Sequence, residues 1–88
     1  MKVSFHSTVR EATGTNEIEI EAPTVRELLE RLRVTFGDKL YGMLLDRGSL
    51  REDVVILVNG QNISHIGGLE MPLGTDDDVA IFPPVSGG

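Results

Sequence analysis

One stretch of this 88-residue chain carries a long helical stripe, and it limits the folds open to everything else. Val25, Leu28, Leu29, Leu32 and Phe36 recur at helical spacing, while Arg26, Glu27, Glu30, Arg31 and Arg33 fall on the other side. Thr24-Val25-Arg26-Glu27 reads as a capping box: the Thr hydroxyl accepts from an unpaired backbone N–H and the Glu carboxylate reaches back to the cap. Gly37 ends the helix. In so small a domain the leucines are required as core, covering a sheet, before they can serve as an interaction motif.

The flanking segments supply that sheet. In Lys2-Val3-Ser4-Phe5-His6 and Glu17-Ile18-Glu19-Ile20-Glu21 apolar residues alternate with polar ones, so Val3, Phe5, Ile18 and Ile20 share one face of a half-buried sheet. Glu11-Ala12-Thr13-Gly14-Thr15-Asn16 between them has turn composition and predicts a hairpin. Asp38 to Asp53 predicts a partly helical connection around Leu40, Tyr41, Leu44 and Leu45, interrupted by Gly42 and Gly48.

Val54-Val55-Ile56-Leu57-Val58 is a continuous β-branched and aliphatic run that suits a central strand. Asn59-Gly60 suits a two-residue turn into a short strand, Gln61-Asn62-Ile63. Gly67-Gly68 and Pro72 break the next stretch, and Leu73 to Asp78 is a turn leading into the last strand, Val79-Ala80-Ile81-Phe82. The order is ββαβββ: an α+β domain in which a mixed sheet of about five strands packs on one main helix. Such an order is what a β-grasp domain looks like in sequence.

The length allows one domain, assigned to residues 1–82, with residues 83–88 as a flexible tail. The chain has no cysteine, so a disulfide framework, a thiolate metal site and a cysteine nucleophile of its own are excluded. A net charge of -6 disfavours nucleic acid, whose phosphates need Lys and Arg, and favours a basic protein partner. No stretch approaches the roughly 18–20 apolar residues of a membrane span, and the N-terminus lacks a signal core, so a cytoplasmic location is expected.

Side-chain chemistry finds little support. His6 and His65 are the two histidines, neither in metal-ligand spacing; His6 alternates with Phe5 and should face solvent, and His65 falls in a loop. Asp76-Asp77-Asp78 resembles a metal site, but adjacent carboxylates diverge and no calcium-loop spacing follows, so a solvated turn is the better reading. The internal glycines make no phosphate loop, and Lys2 and Lys39 are the only lysines.

The tail is different. Pro83 and Pro84 have fixed φ and no N–H, so the last strand cannot continue through them and the chain leaves the sheet extended. Ser86-Gly87-Gly88 is small enough to enter a narrow slot, because glycine lets backbone approach another surface. A Gly88 carboxylate, with a reference pKa of about 3.3–3.7, is ionised and a poor electrophile until an enzyme activates it. A frayed end is the plain alternative, but it gives no reason for a stiff Pro-Pro spacer followed by paired glycines.

These residues resemble the MoaD/ThiS family of ubiquitin-like sulfur carriers. The resemblance runs over essentially the whole chain and rests on Val9-Arg10-Glu11-Ala12-Thr13-Gly14 after the first strand, Asp78-Val79-Ala80-Ile81-Phe82, and the tail Pro83-Pro84-Val85-Ser86-Gly87-Gly88. Val58-Asn59-Gly60-Gln61-Asn62-Ile63 and His65-Ile66-Gly67-Gly68-Leu69 are similar to the archaeal-type branch that includes small archaeal modifier proteins.

The resemblance implies a ubiquitin-like β-grasp fold and a non-catalytic carrier that binds no cofactor itself. An E1-like enzyme would use ATP to adenylate Gly88, and a sulfur donor would convert the acyl-adenylate to a thiocarboxylate. That sulfur would serve molybdopterin synthesis, for molybdenum or tungsten cofactors, or tRNA thiolation. In molybdopterin synthesis Pro83, Pro84, Val85, Ser86 and Gly87 would carry Gly88 into the active site of a MoaE-like synthase large subunit. As a modifier, the chain would instead be joined through Gly88 to lysines of target proteins. A third reading, a non-covalent binding module with an incidental tail, needs neither reaction.

In a β-grasp sheet the first and last strands are parallel neighbours. Ser4, His6, Ala80 and Phe82 would therefore share the face away from the helix, with the Phe82 ring exposed where the tail departs, forming the partner-docking face. His6 departs from the hydrophobic residue common in this part of the MoaD face. The free protein is expected to be a monomer.

Overall fold

The computed structural model describes residues 1–83. Strand β1 (Lys2–Phe5) buries Val3 and Phe5 and turns Lys2 and Ser4 outward, as its alternation requires. β2 (Glu17–Glu19) pairs with it antiparallel, Val3 opposite Ile18. The link between them is not the bare turn expected from Glu11 to Asn16: it contains helix α1 (Thr8–Thr13), ended by Gly14 at φ 76°. The helix is under two turns long and buries only Val9, so no apolar period marks it in the sequence.

The expected amphipathic helix is α2 (Val25–Phe36), with Val25, Leu28, Leu29 and Leu32 buried. Half of the capping box forms: the Glu27 N–H donates to Thr24 Oγ1 at 3.2 Å, while the Glu27 carboxylate turns toward Arg31 Nε at 3.6 Å. Phe36 meets Phe5 edge to face, with ring centroids 5.7 Å apart.

Beyond Gly37 the chain departs from expectation. Helix α3 (Asp38–Leu44) runs straight through Gly42, which does not interrupt it. Leu40 and Leu44, one helical turn apart, are both buried, and that burial outweighs the roughly 0.5–1 kcal/mol a mid-helix glycine costs. A small hairpin follows, β3 (Leu45–Asp46) and β4 (Ser49–Leu50), turned by Arg47 and Gly48 at φ 55° and 80°.

β5 (Val55–Val58) and β6 (Gln61–Asn62) form the expected hairpin, with Asn59 and Gly60 both at positive φ, 52° and 83°. Ile63 belongs not to β6 but to a single 3-10 turn, Ile63–His65, and a second such turn spans Gly68–Glu70. β7 (Asp78–Phe82) completes a five-stranded sheet in the order β2-β1-β7-β5-β6.

β1 and β7 run parallel at the centre, Ser4 opposite Ala80, while β5 pairs antiparallel on the other side of β7. This is the β-grasp arrangement. Val3, Phe5, Ile56, Val58, Val79 and Ile81 from the sheet join the α2 leucines in one core, with Leu40, Leu44 and Ile63 sealing its margins.

Candidate docking face and tail base

The phase of burial decides which side chains face outward. Val79 and Ile81 point to the core, so Asp78, Ala80 and Phe82 point outward on β7; Ser4 and His6 do the same beside them. Ser4, His6, Ala80 and Phe82 therefore lie together, as the sequence predicted. All four are half-buried.

The Phe82 ring is less exposed than expected. It stacks on the His6 imidazole with centroids 4.3 Å apart and planes 10° from parallel. The His6 backbone N–H donates to the Ile81 carbonyl at 3.2 Å, which holds the ring pair in register across the parallel strands. The Ser4 hydroxyl donates to the Val79 carbonyl oxygen at 3.4 Å, and Ser4 Oγ lies 3.1 Å from His6 Nε2. His6 thus acts in this face as a flat aromatic surface, filling the place of a hydrophobic residue.

Two further residues belong to the face. Val55 lies opposite Phe82 and Leu57 opposite Ala80, and both are half-buried on the side away from α2. Sequence reasoning missed them because a continuous aliphatic run has no visible phase; pairing it with the out-of-phase Phe82 and Ala80 would have exposed them. Together His6, Phe82, Val55, Leu57 and Ala80 make an apolar surface that, among the described residues, no helix covers. Its make-up suits binding.

Phe82 ends β7, and Pro83, buried, follows it directly. Pro83, the first residue after the strand, therefore adjoins the stacked pair. Pro84, Val85, Ser86, Gly87 and Gly88 lie outside the described residues.

The other candidates of the sequence take structural places. Asp77 accepts from the Gly74 N–H at 2.7 Å and from the Asn59 side-chain amide at 2.9 Å, and Asn59 Oδ1 accepts from the Asp78 N–H at 2.9 Å. These bonds hold the Asp77 carboxyl below the usual carboxylate range and tie the two turns together. His65 ends its 3-10 turn, exposed and away from His6. Among the described residues no cluster of three potential metal ligands occurs, and no helix is long and apolar enough to cross a membrane.

A five-stranded mixed sheet packed on one main helix defines a ubiquitin-like β-grasp domain. The chain belongs to the ThiS family, whose model matches residues 3–88. Small archaeal modifier protein 3 of Haloferax volcanii is 33% identical over 91 residues, covering 100% of this chain and 98% of that protein. The molybdopterin synthase sulfur carrier subunit of Escherichia coli is 36% identical over 90 residues, covering 100% and 99%. The solution structure of small archaeal modifier protein 1 from Methanosarcina acetivorans superposes with a TM-score of 0.87 at 35% identity, covering 99% of this chain and 94% of that one.

Proposed function

We propose that this chain is a ubiquitin-like sulfur carrier whose terminal glycine, Gly88, is adenylated by an E1-like enzyme at the expense of ATP and converted by a sulfur donor to a thiocarboxylate. The observation that carries the reading is the junction at Phe82 and Pro83: an apolar face that no described helix covers ends at the residue where the tail sequence begins. A partner that grips this face receives the tail at a fixed distance. The family match through residue 88 and the sulfur-carrier relative support it.

The chemistry divides between the proteins. Adenylation gives the ionised carboxylate the leaving group it lacks; attack by sulfur then expels AMP. The chain contributes position, with Ser4, His6, Ala80 and Phe82, joined by Val55 and Leu57, as the docking face and Pro83 to Gly87 as the reach. The catalytic groups belong to the activating enzyme and to the acceptor, a MoaE-like synthase subunit or a tRNA-thiolating system. The setting for that pathway is the cytoplasm.

The modifier reading is favoured by a separate observation, the full-length similarity to small archaeal modifier protein 3. Both roles use the same activated Gly88 and can coexist. A pull-down from cells comparing the full chain with one lacking Gly88 separates them: a captured synthase large subunit marks the carrier, and ligated lysines bearing a remnant of this tail mark the modifier. If neither depends on Gly88, both readings fail and a non-covalent binding module remains.

A further inference from the structure

The edge of the sheet opposite the β5–β6 hairpin is open, and it carries features that the docking face does not use. Val3 and Ile18 face each other across the β1–β2 ladder, the Ile20 N–H donates to the Met1 carbonyl and the Phe5 N–H to the Asn16 carbonyl. In an antiparallel pair this fixes the alternate residues, Glu17 and Glu19, with their backbone N–H and C=O directed away from β1. Among the described residues nothing pairs with the Glu19 N–H or C=O.

Beside this edge lies a groove of about 390 Å³ between α2 and the end of β2, with Ile20, one residue past the strand, on one wall and Val34 with Glu27, Glu30, Arg31 and Thr35 on the other. Val34 is 88% exposed, the most exposed large hydrophobic side chain among the described residues. The core stripe of α2 does not need it.

Charge completes the pattern. Ile18 and Ile20 point toward α2, so Glu17, Glu19 and Glu21 project on the opposite side. Arg31, the cation at the groove, is spent: it pairs with Glu27 and donates to the Glu21 carbonyl. The Met1 ammonium reaches Glu21 and Glu19, yet those carboxylates stay 56% and 78% exposed. A second copy of β2 at this edge would set Glu against Glu, which opposes self-pairing.

We propose that the β2 edge and the β2–α2 groove bind an extended segment of a partner protein in which aliphatic and basic side chains alternate. The segment adds as a sixth strand through the free Glu19 backbone groups, its aliphatic side chains enter the Ile20–Val34 groove, and its lysines or arginines lie across from Glu17, Glu19 and Glu21. The groove lies on the α2 side of the sheet, opposite Phe82, while Glu17 adjoins Ser4 of the docking face across the β1–β2 ladder.

The test is an NMR titration of the full chain with a terminally blocked hexapeptide of alternating lysine and valine. Expected are shifts in the amides of 17–21 and 30–35, hydrogen-exchange protection of the Glu19 N–H, and at least about fivefold weaker binding for Val34→Asp and for Glu19→Lys. Val55→Asp, on the docking face, should bind the peptide as the parent does. Four results would overturn the proposal: no binding; equal binding of a block peptide with three lysines followed by three valines; shifts confined to His6, Val55, Leu57 and Phe82; or dimerisation through β2. Val34 and Glu19 are exposed and Val55 is half-buried, and the folding of every variant is checked in the same spectra.

Discussion

Phe82 ends β7 with its ring on His6 and Pro83 directly after it, so in the proposed function one side chain joins the docking face to the tail. A ring already stacked loses little freedom when a partner covers it, the setting in which aromatic residues become binding hot spots. Phe82→Ala should weaken binding to the activating enzyme by about 2 kcal/mol with little change in thermal stability, read by calorimetric titration and melting. Asp77 is a residue of the opposite kind, structural rather than functional. Its carboxyl is held below the ordinary value of 3.8, so its stabilisation is fully present above that pH and is lost as the pH falls through the lower folded value. Melting temperatures below pH 3.8 should therefore fall more steeply for the parent chain than for Asp77→Asn; parallel curves would contradict the assignment.

At the scale of elements, what could be read from the sequence followed the strength of the period. α2 has three turns of apolar repeat and a cap, and β1, β5 and β7 have alternation or β-branched runs; all were legible to within a residue or two. α1 was not, because six residues burying one valine leave no repeat. The β3–β4 hairpin was not, because Arg47 takes a positive φ where Asn or Asp would have signalled the turn. Gly42 misled in the other direction, since a glycine on the exposed side of α3 breaks nothing when Leu40 and Leu44 anchor the helix. Space around it is open: a Cβ added at Gly42 meets no atom within 4 Å. Gly42→Ala should accordingly stabilise the protein by about 0.5–1 kcal/mol in urea denaturation, a gain made by reducing the freedom of the unfolded chain.

For the whole molecule, the proposed function makes the fold a rigid handle for Gly88. The core that makes it rigid runs through Leu28, fully buried between helix and sheet, and Leu28→Ala should cost about 2–5 kcal/mol by the same denaturation measurement. The docking half of the site was partly legible: Ser4, His6, Ala80 and Phe82 follow from β7 being parallel to β1, whereas Val55 and Leu57 needed the observed register. The chemical half rests on Gly88. Intact-mass analysis of the full chain after incubation with its E1-like enzyme, ATP and a sulfur source tests it directly. The expected result is a gain of about 16 Da, sulfur replacing oxygen, located at Gly88 by fragmentation and abolished when Gly88 is deleted. An unchanged mass, or the same gain in the chain without Gly88, would contradict it.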